Sequence, residues 1–69
     1  MYQLIKDIES EIIDYREEEY TWLRELNDEK AKSKDHQDAN YIIVCSEHIA
    51  EFRGSINALE SVLDRLKKL

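Results

Sequence analysis

Proline is absent from this chain of 69 residues, while glycine and cysteine each occur once. Few residues therefore interrupt a helix, and the sequence favours long helices. One cysteine excludes an internal disulfide. No apolar run approaches the ~20 residues needed to span a bilayer. We expect an all-α fold that has no disulfide and no contact with a membrane.

The N-terminal stretch MYQLIKDIESE lacks the basic flank and continuous apolar run of a signal peptide. Together with the scarcity of cysteine, this predicts a protein of the reducing cytoplasm.

Charge is unevenly distributed along the chain. The net charge is −6, from 16 acidic and 10 basic residues. Residues 1–29 hold ten acids and three bases, and three lysines follow at Lys30, Lys32 and Lys34. Because affinity for phosphates comes from lysine and arginine, we expect no direct nucleic-acid binding. An acidic surface could instead meet a basic protein partner.

Two heptad repeats predict two helices. The core positions of helix 1 are Ile5, Ile8, Ile12, Tyr15, Glu19, Trp22 and Leu26, and those of helix 2 are Ile42, Cys45, Ile49, Phe52, Ile56, Leu59, Leu63 and Leu66. We predict one domain, 1–69, with helix 1 at about 3–31, a polar linker at about 32–38 and helix 2 at about 39–68. A short linker favours an antiparallel, coiled-coil-like hairpin. Facing residue numbers should add to 71, so that Ile5 meets Leu66 and Leu26 meets Cys45.

A hairpin of this length leaves apolar residues uncovered on both flanks of the core. One flank carries Tyr2, Ile13, Tyr20, Leu23 and Ile43, and the other carries Leu4, Tyr41, Val44, Val62 and Leu69. So short a chain buries only about 60% of its unfolded surface and usually needs a disulfide, a metal or a partner chain. We predict a homodimer that forms a four-helix bundle through the first flank.

Glu19 is the only charged residue among the core positions. One interpretation is structural: Glu19 pairs with Arg53, Arg16 or both, and fixes how the helices pair. The other makes Glu19 a general acid, but catalysis needs a second group and a pocket. The structural interpretation is the stronger, and we predict no catalytic residue.

Cys45 and His48 stand three residues apart and could present a thiolate and an imidazole on one helix face. A closed zinc site needs four ligands, and paired cysteine or histidine spacing is missing. We predict no metal and no cofactor; Cys45 is a core residue and His48 lies near Glu25.

Two functional hypotheses remain. The first is a non-enzymatic adaptor, regulator or inhibitor that acts through protein–protein contacts. The alternative is an acidic mimic of DNA that inhibits a nucleic-acid-binding protein, with Glu11, Glu17, Glu18 and Glu25 as its candidate surface. In size and charge the chain resembles small accessory proteins of bacteria and their phages, although no motif carries this likeness.

Overall fold

The protein folds as two long helices that pack against each other. A computed structural model describes residues 2–69. Helix α1 is Tyr2–Lys30 and helix α2 is Ala39–Lys67, with a short 3-10 helix, Lys34–His36, between them. The predicted all-α two-helix hairpin is confirmed. None of the helices in the described part of the chain combines the length and apolar character needed to cross a membrane.

Contacts between the helices show that they are antiparallel. Lys67, near the end of α2, lies 3.7 Å from Glu9, near the start of α1. In the middle, Glu19 meets Arg53 and Trp22 meets His48. The residue numbers of these two central pairs add to 72 and 70, on either side of the expected 71.

The core of the hairpin is narrow. Ile8, Ile12 and Ile56 are buried together, with half-buried Tyr15, Leu59, Leu63 and Leu66 packed against them. Cys45 and Ile49 are buried nearer the connection. The molecule extends 54 × 14 × 12 Å, and its Cα radius of gyration is 15.9 Å. A compact chain of this length would have a radius near 11 Å. Two helices thus form a rod with a single line of buried residues.

A network of side chains holds the connection between the helices. Asp38 caps the N-terminus of α2, and its carboxylate accepts hydrogen bonds from the backbone N–H groups of Asn40 and Tyr41. The Gln37 amide donates to the Lys30 and Lys32 carbonyls at the end of α1. These bonds satisfy backbone groups that a helix end leaves without partners.

Glu29 links the two helix ends directly. Its carboxylate accepts the Asp38 backbone N–H at 2.8 Å and the Lys32 ammonium at 3.0 Å. The hydrogen bond from Asp38, followed by the one from Lys32, lowers the pKa of the Glu29 carboxyl. Glu29 is the only buried charged residue among those the structure describes. The end of α1 is thereby joined to the start of α2.

Candidate interaction surfaces

A shallow groove runs along one flank of the rod, between the two helices. Its exposed or half-buried lining includes Ile13, Tyr20 and Leu23 from α1, and Ala50, Gly54 and Asn57 from α2. Among these uncharged residues of the lining, the larger side chains come from α1 and the smaller ones from α2, while Arg53 and Glu60 of α2 also line the groove. We refer to this side of the hairpin, the groove with its bordering ion pairs, as the groove face.

Three of the five predicted interface residues line the groove. The side chains of Ile13 and Tyr20 are 57% and 64% exposed, and Leu23 is half-buried. Tyr2 and Ile43 are exposed on the same side, near opposite ends of the rod and outside the groove. Four of these five apolar residues are therefore exposed, and the fifth, Leu23, is half-buried.

Ion pairs between the helices border the groove. The Arg53 guanidinium donates to the Glu19 carboxylate at 2.6 Å, with side-chain exposures of 59% and 19% respectively. Arg16 pairs with Glu60 instead of with Glu19. Arg16 and Glu60 lie beside the core on opposite helices, so their side chains meet across the groove. Arg16 is therefore not paired with Glu19, its neighbour on α1. Of the alternatives considered for Glu19, the structure shows the pair with Arg53.

The groove face carries almost no net charge. The heptad register assigns to it the acidic residues Glu9, Glu19, Glu60 and Asp64 and the basic residues Lys6, Arg16, Lys30, Arg53 and Lys67. Three of the acids are paired with bases across the two helices. Four negative and five positive charges leave this face at +1.

The opposite flank, which we call the acidic face, carries the negative charge. Its acidic residues are Asp7, Glu11, Asp14, Glu18, Glu25, Asp28 and Glu51, against the single base Arg65. Seven negative charges and one positive charge give −6, which equals the net charge of the whole chain. Three predicted surface acids, Glu11, Glu18 and Glu25, follow one another on this face. Glu17 is exposed and lies on the outer side of α1, between the two faces.

Glu25 is tied to α2 through Tyr41. The Tyr41 hydroxyl donates to the Glu25 carboxylate at 3.0 Å. This hydrogen bond is the largest of the effects that raise the pKa of Tyr41 to about 12, because ionised tyrosine would lose the donor and face a carboxylate. One hydrogen bond to the Glu25 carboxylate is therefore already made within the chain. The same flank also carries the exposed apolar residues Leu4, Val44, Val62 and Leu69.

His48 lies against Trp22 and not against Glu25. The two rings stack with centroids 4.2 Å apart and an interplanar angle of 15°. Tyr41 occupies the position beside Glu25, and the nearest acid to His48 is Glu51, at 3.9 Å. The Cys45 thiol is fully buried. Within residues 2–69, no three His, Cys, Asp or Glu side chains are grouped so that they could hold a metal ion.

Comparison of the chain with protein-family models, with curated proteins and with solved structures found no match.

Proposed function

We propose that this protein is a non-enzymatic, cytoplasmic interaction protein. Two copies associate through the groove face into a four-helix bundle, and the bundle binds a further protein partner as an adaptor, regulator or inhibitor. The observation that carries the proposal is the separation of the two faces. A groove face with exposed apolar residues and a net charge of +1 lies opposite an acidic face whose net charge of −6 equals that of the chain.

The accessible area of the hairpin supports the dimer. The chain exposes 5324 Å². A compact monomer of 8.3 kDa would expose about 4,600 Å². The difference is about 700 Å² per chain, close to the roughly 800 Å² that each partner buries in a standard protein–protein interface. A second copy would therefore cover about as much surface as the elongated hairpin exposes beyond a compact monomer of the same mass.

The distribution of charge supports a second copy as the occupant of the groove. Two chains of net charge −6 repel each other unless their acidic surfaces stay apart. Association through the groove face places both acidic faces outward. The ion pair of Glu19 with Arg53 and that of Arg16 with Glu60 are already made within one chain, so covering them leaves neither charge unpaired.

The role proposed for Glu19 is structural. Its carboxylate accepts a hydrogen bond from Arg53, and the groove beside it is open and shallow. A general acid requires a second catalytic group and a site that excludes water. A lone charged residue at a core position can instead specify how helices pair.

Matched serine variants test the proposed dimer. We expect Ile13→Ser with Tyr20→Ser, on the groove face, to dissociate the dimer by at least tenfold in Kd while helix content is retained. Val44→Ser with Val62→Ser removes exposed apolar groups from the opposite flank and should leave the mass unchanged. Sedimentation velocity measures the mass of each variant in solution, and circular dichroism measures its helix content. Equal dissociation by the two variants would contradict the choice of face.

The acidic face supports the mimic of DNA as a second candidate function. Its carboxylates at Glu11, Glu18 and Glu25 recur every seven residues along one side of α1. Such a row could occupy the basic groove of a nucleic-acid-binding protein. The chain should then capture a host protein at 50 mM salt and fail to capture it at 500 mM salt. The triple variant with glutamine at these positions should fail to capture it even at 50 mM salt. Salt-resistant capture that fails in the Ile13→Ser, Tyr20→Ser chain would favour the apolar contact.

A further inference from the structure

We infer that the two copies are related by a two-fold axis parallel to the long axis of the hairpin. Tyr20 of each copy then fills the hollow beside Ala50 and Gly54 of the other. This arrangement rests on the dimer proposed above and adds its geometry: which helix of one copy covers which helix of the other.

The shape of the groove face separates large and small residues by helix. Ile13, Tyr20 and Leu23 line the groove from α1, whereas Ala50 and Gly54, on either side of Arg53, present little or no side chain on α2. A Cβ atom placed on Gly54 would meet no heavy atom within 4 Å beyond its chain neighbours and the adjoining backbone of α2, so the space above it is open. Close packing of an interface requires large side chains of one surface to meet hollows of the other.

A two-fold axis along the rod brings α1 of each copy over α2 of the other. Rotation about this axis exchanges the lateral positions of the two helices and leaves heights along the rod unchanged. Heights within one hairpin are taken from the register in which facing residue numbers add to 71, a value between the sums of the central pairs, Glu19 with Arg53 and Trp22 with His48. Tyr20 is therefore level with residue 51 of α2. In the dimer it lies above the surface between Ala50 and Gly54 of the other copy.

The same rule places the other large residues. Ile13 is level with residue 58 and comes over Asn57, and Leu23 is level with residue 48 and comes between Ser46 and Ala50. Each of the three larger side chains of α1 thus meets a smaller one of α2. With neighbouring helices of different copies also antiparallel, the dimer is an antiparallel four-helix bundle.

The other possible two-fold axis crosses the rod and lies in the plane of the interface. It brings α1 over α1 and α2 over α2. The large side chains of the two α1 helices would then compete for one space, and the hollows beside Gly54 would face each other unfilled. Overfilled and empty regions both destabilise an interface, so this axis fits the groove face less well.

Single-cysteine chains distinguish the two axes. Both chains carry Cys45→Ala, which removes the native thiol. One chain then carries Tyr20→Cys and the other Ala50→Cys, and the two are mixed, exchanged and oxidised. Because each chain has one thiol, every disulfide formed is intermolecular, and mass spectrometry identifies the pair. A chain with Val62→Cys, on the opposite flank, replaces the Ala50→Cys chain as the control.

We expect the Tyr20–Ala50 cross-link to exceed either self-link by at least fivefold, and the Val62 control to give none above background. A dimeric mass accompanied by predominant Tyr20 self-links, or by no Tyr20–Ala50 product, would overturn the proposed axis and leave the dimer standing. A monomeric mass of the unoxidised mixture at 100 µM would overturn the dimer itself, provided that the Cys45→Ala chain alone is also a monomer. Sedimentation equilibrium before oxidation therefore separates the two failures.

Discussion

At the scale of single residues, Glu19 shows how a charge can occupy a core position of a thin hairpin. Its side chain is mostly covered, while the Arg53 that binds it remains largely in water. A pair with one solvated member has a small net effect on the free energy of unfolding, typically below about 1 kcal/mol. The pair is therefore better explained as specifying helix pairing than as stabilising the hairpin.

The substitution Glu19→Leu tests that interpretation. We expect the free energy of unfolding to stay within about 1 kcal/mol of the wild type or to rise, because leucine extends the apolar core and Arg53 stays hydrated. The dimer should become less specific, with a broader distribution of masses in sedimentation velocity. A strongly destabilised variant with unchanged mass would instead show that Glu19 belongs to a tight network on which folding depends.

Some of these residue contacts were predictable and others were not. Heptad arithmetic placed Arg53 beside Glu19, because two helices with matching repeats have few possible registers. The arithmetic placed His48 beside Glu25, whereas His48 stacks on Trp22 and Tyr41 reaches Glu25. Long or flat side chains on a flank have several neighbours within reach, and register alone does not select among them. That choice depends on packing in three dimensions.

At the scale of the secondary-structure elements, the two helices follow from the sequence and the connection between them does not. Helices of 29 residues with apolar heptads and no proline have few alternative folds. Glu29, near the C-terminal end of α1, looks unfavourable in the sequence, since a helix C-terminus carries partial negative charge. The structure shows that its carboxylate accepts the backbone N–H of Asp38, the residue that caps the N-terminus of α2. Only the folded connection brings this partner within reach.

Glu29 predicts a dependence of stability on pH. Because its pKa in the folded protein lies below the ordinary 4.5, its contribution is complete above that value and is lost as the pH falls through the folded pKa. Glu29→Gln retains an acceptor for the Asp38 N–H and loses the charge. The wild type should have a higher Tm than this variant at pH 7, and the difference should shrink as the pH falls below 4.5 and through the folded pKa.

The control for this measurement is Glu47→Gln, which neutralises an exposed glutamate on the outer side of α2. We expect its Tm to differ little from that of the wild type across the same pH range. If the difference between wild type and Glu29→Gln persisted unchanged below pH 3, the charge of Glu29 would have no part in holding the connection.

At the scale of the whole molecule, the decisive feature is the small number of residues that a two-helix rod buries. Its single line of buried residues leaves Ile13 and Tyr20 in water at the centre of a neutral face. The heptads predicted the hairpin, and apolar residues remain exposed on both of its flanks. The separation of charge between two faces is present in the sequence but becomes evident only once the register assigns each residue to a flank.

Sedimentation equilibrium of the unmodified protein between 1 and 100 µM tests dimerisation most directly. We predict a mass of twice 8.3 kDa at the upper concentrations, with dissociation on dilution and a helical circular dichroism spectrum throughout. A mass of 8.3 kDa at 100 µM, with helix content and cooperative unfolding intact, would show that one hairpin is stable alone. The groove face would then have no second copy to bind.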